Sequence, residues 1–188
     1  MTETLEQLFN DEFDRQRLSM HGLPPVHLWT TPLSGDIDIY IDREGRWIHE
    51  GGEIKRAPMV KLFSSLLRRE GNDYYLITPE ENWRIRVAAA PFFVISAKRV
   101  KRSGVQAISL TTRTGEVVVV GRDNPLWVET PASRTEPMPL VIVRDNIPAL
   151  ISRDTYYELV SWGTINPSNN CLEIDSLGEC FNLGSLDE

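Results

Sequence analysis

Cysteine is nearly absent from this chain: Cys171 and Cys180 are the only two in 188 residues. So few thiols exclude a disulfide-built scaffold, and with only three histidines no cluster at metal-ligand spacing can be drawn. Both cysteines fall near a predicted hairpin and read as buried free thiols. Long apolar runs are missing too. The longest, Val87 to Ile95, contains a proline and is far too short to cross a bilayer, so no membrane partner is expected. The opening MTETLEQLFNDEF has neither a basic nor an apolar leader region, which makes the cytoplasm the expected compartment. Excess positive charge is lacking as well: the net charge of −7 argues against duplex DNA as a partner. Catalytic signatures are absent in the same way. Ser34-Gly35-Asp36 and Ser103-Gly104 are turn sequences rather than nucleophile elbows, and Gly51-Gly52 is not followed by the Gly-Lys-Ser/Thr of a phosphate loop.

What is present is a repeated hairpin. Ile41-Asp42-x-x-Gly45-x5-Gly51 returns as Ile174-Asp175-x-x-Gly178-x5-Gly184, and Arg43-x-Gly45-x5-Gly51 returns as Arg113-x-Gly115-x5-Gly121. Each copy sets a glycine in a polar turn between strand-like runs, where a positive φ is needed. Hairpins are therefore expected at 36–50, 105–120 and 171–183. In the first, Ile37, Ile39 and Ile41 alternate with Asp36, Asp38 and Tyr40. A turn at 42–45 would set Ile39 opposite Ile48, Tyr40 opposite Trp47 and Asp38 opposite His49.

Helices are predicted at 4–17, at about 58–69 and at 153–162. The middle one rests on Met59, Leu62, Phe63, Leu66 and Leu67 sharing one face, with Gly71 as its stop; the last starts after Ser152 and stops at Gly163. A second hairpin joins 74–78 to 83–87. Further strands are expected at 92–99, 105–112, 116–120, 126–129, 140–144 and 147–151. Ile54-x-Arg56-x5-Leu62-Phe63 and Ile151-x-Arg153-x5-Leu159-Val160 open two of the helices alike. The expected fold class is α+β: two related domains from an internal duplication, 1–90 and 91–188, each a hairpin, helix, hairpin unit, with extra strands inserted in the second.

Several ordered motifs resemble a bacterial family known only as a domain of unknown function. They are Pro24-Pro25-Val26-His27-Leu28-Trp29, Gly35-Asp36-Ile37-Asp38-Ile39, Gly45-x-Trp47-x3-Gly51-x2-Ile54-x-Arg56, the run from Leu62 to Glu70, Tyr74 to Glu80, Ala90-Pro91-Phe92 and Tyr156-Tyr157-Glu158-Leu159. The resemblance implies a duplicated two-domain core whose second domain is superficially like pleckstrin-homology domains. It also implies ligand-linked signalling, with a nucleotide- or nucleic-acid-like ligand at the domain interface. It supplies no catalytic residues.

The residues themselves leave alternatives open. His27 and Trp29 follow a rigid Pro-Pro pair and would either stack on a planar ligand or form a packed connector. Asp36, Asp38 and Asp42 are spread along an extended strand, which suits a solvated or hydrogen-bonded face better than a calcium loop. Arg56 and Arg153 stand at helix starts, where they would either contact an anion or make a structural ion pair. The basic middle, Trp83-Arg84-Ile85-Arg86 and Lys98-Arg99-Val100-Lys101-Arg102, would serve an anionic ligand, an acidic partner or simply solvation. The expectation is a non-enzymatic regulatory module, without cofactor or metal. It would bind a small anionic or nucleotide-like ligand at the domain interface, in one polar groove formed by His27, Trp29, Asp36, Asp38, Arg56 and Arg153. Its rivals are a protein-interaction module built on the pleckstrin-like half, and an unfamiliar enzyme using His27 or His49 as base.

Overall fold

The computed structural model describes residues 22–130 and 136–185. The helix predicted at 4–17 lies outside them. The chain divides into two units, one running to Asp42 and resuming over Arg46–Ala88, the other taking Arg43–Gly45 with Ala89 onward.

In the first unit a single 3-10 turn at Val26–Leu28 precedes β1 (Gly35–Ile41), β2 (Trp47–His49) and β3 (Gly52–Glu53). Helix α1 (Ala57–Ser65) follows, then β4 (Leu67–Glu70), β5 (Asp73–Ile77) and β6 (Asn82–Val87). The six strands form one sheet in the order β3-β2-β1-β6-β5-β4. Neighbours are antiparallel except at the centre, where β1 and β6 run parallel. One face is apolar: Ile39, Ile41, Trp47, Leu76 and Ile85 are buried there. Helix α1 contributes Met59, Leu62 and Phe63 to this core, with the Phe63 and Trp47 rings 6.2 Å apart. Burying a side chain of this size stabilises the fold by roughly 1.5–3 kcal/mol.

Helix α1 is shorter than its spacing predicts. It ends at Leu66, whose N–H bonds to Phe63 O, and Leu67 opens a strand paired with β5. Leu66 and Leu67 are buried all the same, which is why an apolar pattern cannot separate the two outcomes. Gly71 turns β4 into β5 with φ 60° rather than stopping a helix.

The register of the first hairpin also differs by one residue from the expected one. Ile39 faces His49, Tyr40 faces Ile48 and Ile41 faces Trp47. The connection has five residues, not four, because Asp42 and Arg46 close it. The Arg46 N–H and Nε donate to the Asp42 carboxylate at 2.9 and 2.7 Å, and the Asp42 N–H donates to Arg46 O. Gly45 inside it has φ 71°, and a Cβ there would come within 2.6 Å of Phe93 Cβ. The shift puts Trp47 on the apolar face beside both isoleucines, a larger burial than Ile48 would give.

The second unit has β7 (Phe92–Arg102), β8 (Val105–Thr112), β9 (Val117–Val119), β10 (Leu126–Glu129), β11 (Met138–Arg144) and β12 (Ile147–Ile151). Their order is β10-β11-β12-β7-β8-β9, with β7 and β12 parallel and the rest antiparallel. This is the wiring of the first unit: two meanders, joined by a parallel pair between the first strand of one and the last strand of the other. Helix α2 (Arg153–Trp162) then starts as predicted, with the Ser152 side chain accepting from Thr155 N–H. A three-stranded sheet, β13 (Thr164–Asn166), β14 (Cys171–Ser176) and β15 (Glu179–Ser185), completes it.

The fold is thus α+β with two similar domains, and hairpins occur at all three repeats, with Gly45, Gly115 and Gly178 at positive φ. The correspondence between the halves, however, is not the one the motifs suggest. Strands β1–β6 match β7–β12, the 171–183 hairpin has no counterpart among the described residues of the first unit, and α1 lies between meanders whereas α2 follows both. The two helix starts carrying Arg56 and Arg153 are therefore not equivalent positions.

Candidate functional site

Strand alternation builds the site. With Ile39 and Ile41 turned inward, β1 presents Asp36, Asp38 and Tyr40 on the opposite face, and β6 presents Arg84 and Arg86 beside them with Ile85 inward. Asp36 is in register with Arg84. The Arg84 guanidinium grips Asp36 with two bonds, Nε to Oδ1 at 2.6 Å and Nη2 to Oδ2 at 3.1 Å. Arg86 Nη2 donates to Asp38 Oδ1 at 2.7 Å, and its guanidinium lies 5.6 Å over the Tyr40 ring. The hydrogen bond from Arg84, helped by its charge, holds the Asp36 carboxyl below the usual carboxylate range. The same pairing raises Arg84.

Next to this array is a half-open hollow of about 460 Å³. Asp36 and Ile37 of β1, Asn72–Tyr74 at the start of β5 and Arg84–Val87 of β6 line it. Two carboxylates, Asp36 and Asp73, face two guanidiniums, Arg84 and Arg86, so the lining has no net charge. Burial pushes the Tyr74 hydroxyl up, against the opposing charge of Arg69, whose guanidinium sits 5.7 Å over the same ring.

Among the described residues the lining includes no histidine, cysteine, serine or lysine. Asp36, ion-paired and held ionised, is a poor general acid. Arg86 is the loosely engaged member of the array, with one bond to Asp38 and its side chain 71% exposed. Among the described residues no group of three or more His, Cys, Asp or Glu is placed to hold a metal.

Of the residues proposed from sequence, Asp36 and Asp38 come together on one strand face. His27 is exposed in the 3-10 turn, where buried Val26 is the anchor. Trp29 is half-buried, and its carbonyl accepts from Arg68 Nη1 at 2.6 Å. The segment after it is stitched to the ends of β5 and β6: Thr31 Oγ1 donates to Thr78 O, and Ser34 and Asn82 exchange bonds. Arg56 is the N-cap residue of α1, its carbonyl accepting from the N–H groups of Met59 and Val60. Arg153, in the second unit, turns along α2 so that its guanidinium donates to the Tyr157 hydroxyl at 3.2 Å and lies over that ring. His49 Nδ1 is 2.8 Å from the Asp38 backbone oxygen, so this nitrogen carries the proton, and among the described residues no carboxylate orients the ring.

The cysteines are free but not buried, contrary to expectation: Cys171 is half-buried and Cys180 exposed. The starts of β14 and β15 rather than core positions hold them. Cys180 Sγ donates to Asp175 Oδ1 across the β14–β15 pair at 2.8 Å, and that carboxylate pushes the thiol up.

Sequence reasoning left Arg84 and Arg86 as a generic basic strand and overlooked Tyr40 and Asp73. The available signal was the matched alternation of Asp36-x-Asp38 and Arg84-x-Arg86, 48 residues apart in both pairs.

Two family models match the chain: the N-terminal domain of DUF1285, a domain of unknown function, over residues 24–90, and the C-terminal domain of the same family over residues 91–183. A crystal structure of a DUF1285 family protein from Silicibacter pomeroyi DSS-3 shares 38% identity and has a TM-score of 0.81, over 88% of this chain and 90% of that one. A second, from Shewanella baltica OS155, is 21% identical with a TM-score of 0.52, over 66% of this chain and 91% of that one, and supports the fold alone. No curated protein matches.

Proposed function

Because the chain belongs to the DUF1285 family, of unknown function, we propose its role from its own chemistry: a non-enzymatic, cytoplasmic regulatory module whose first unit binds a small ligand carrying an anionic group in the hollow beside β1 and β6. Arg86 carries this reading. It is an exposed guanidinium, steadied by Tyr40, with donors to spare at the wall of a hollow whose volume suits a small molecule. A phosphate or carboxylate would take those donors, and Asp36 and Asp73 would accept from the ligand's own N–H or O–H groups. A nucleotide-like molecule offers both kinds of group. The balanced charge of the lining favours such a mixed ligand over a bare polyanion.

Native mass spectrometry of the purified protein identifies a co-purifying molecule, and calorimetric titration then compares wild type with Arg86→Ala. Loss of one charge-assisted contact costs roughly 1.5–3 kcal/mol, about ten- to a hundredfold in affinity. Unchanged affinity in a folded Arg86→Ala would overturn the reading. Trp29→Ala, Arg56→Ala and Arg153→Ala in the same titration decide whether any of these residues touches the ligand.

The likeness of the second domain to pleckstrin-homology domains belongs to this proposal too. Two meanders followed by α2 favour it, and the added β13–β15 sheet departs from it.

A further inference from the structure

We infer that the outer face of the β7–β8–β9 meander docks an extended protein segment in which acidic and aliphatic side chains alternate. The ladders fix which residues share this face. Lys98, Val100 and Arg102 of β7 pair with Ser109, Ala107 and Val105 of β8, while Ser109 and Thr111 pair with Val119 and Val117 of β9. The opposite face holds Ala97, Ile108, Leu110 and Val118, all buried. The outer face instead exposes Val100 (37%), Val105 (47%) and Val117 (66%), around Ala107, which is itself buried.

Charge distinguishes this face from an ordinary solvated one. Lys98 and Arg102 are exposed, and among the described residues neither has a hydrogen-bond or ion-pair partner. This happens in a chain of net charge −7, where carboxylates outnumber cations. Arg99, on the inner face, is by contrast held 5.1 Å over the Trp162 ring.

The order cation, valine, cation recurs at every second residue, about 6.6 Å per step along a strand. An extended segment reading acid-x-aliphatic-x-acid has the same step and meets all three side chains at once. A phosphate polyanion would neutralise Lys98 and Arg102 but leave the valines wet. This inference is independent of the hollow in the first unit.

The test uses the full chain, isotope-labelled, titrated with the capped peptide Ser-Glu-Thr-Val-Thr-Glu-Ser. Amide shifts are expected to move at Lys98–Arg102, Val105 and Val117. Affinity should fall about tenfold or more for the peptide with its valine replaced by serine, and similarly for the protein variants K98E/R102E and V100S/V105S. These positions are exposed, so the variants are expected to fold, and unchanged far-UV spectra check it. Absence of shifts at this face would overturn the inference. So would equal binding of the serine peptide, or tighter binding of tripolyphosphate or of phosphatidylserine vesicles, which would assign the face to charge alone or to a membrane.

Discussion

Cys180 shows how a single neighbour decides reactivity. Its thiol is exposed, yet the hydrogen bond to Asp175 and the charge of that carboxylate disfavour the thiolate that reacts. Alkylation by a maleimide at neutral pH is therefore expected to be slower than for a free thiol, and Asp175→Asn should speed it. A pH–rate profile shifted to lower pH in the variant is the check. Asp36 behaves in the opposite sense. Its folded-state pKa lies below the unfolded value near 3.8, so its contribution to stability is present above that pH and is lost as pH falls through the folded value. Urea unfolding should separate wild type from Asp36→Asn at neutral pH, with the gap narrowing as the pH is taken down into the acid range.

At the level of elements, α2 depends on its cap: Ser152→Ala removes the bond to Thr155 N–H and should cost about 0.5–2 kcal/mol. Phe63→Ala, which empties the contact of α1 with Trp47, should cost about 3–5 kcal/mol, read as a lower urea midpoint. The same two helices show what was legible in the sequence. Ser152 marks the start of α2 by its own cap bond, whereas Gly163 ends it in an extended conformation, where a side chain would press on Leu172. The end of α1 carries no such mark, since Leu66 and Leu67 satisfy a helical face and a strand equally well. Glycine turns betrayed the hairpins, but the one-residue register depended on the Asp42–Arg46 closure. The Asp36–Arg84 and Asp38–Arg86 pairs were hard to read for another reason: the two matched alternations lie 48 residues apart and nothing local says that their strands pair in parallel, so half of the array read as a solvated acidic face and half as a basic strand.

For the molecule as a whole, the charge balance sets colloidal behaviour. With a net charge of −7 and a pI near 5.1, self-repulsion keeps the protein apart at neutral pH and vanishes about two pH units lower. Light scattering across that interval should show a solubility minimum near the pI. Adding salt at about pH 7 should lower the repulsion without producing one.

The parallel seam at the centre of each six-stranded sheet has a consequence in time. Within each meander, neighbouring strands are close in sequence and can pair early. Joining the meanders requires β1 to find β6, from Gly35 to Trp83 a separation of 48, or β7 to find β12, from Phe92 to Ala149 a separation of 57. The entropy of closing such loops must be overcome before the ladder returns any stabilisation. The seams are therefore expected to form late: in stopped-flow urea kinetics, mutations along β1 and β6 should act mainly on the unfolding rate, while those in the hairpin turns act on the folding rate.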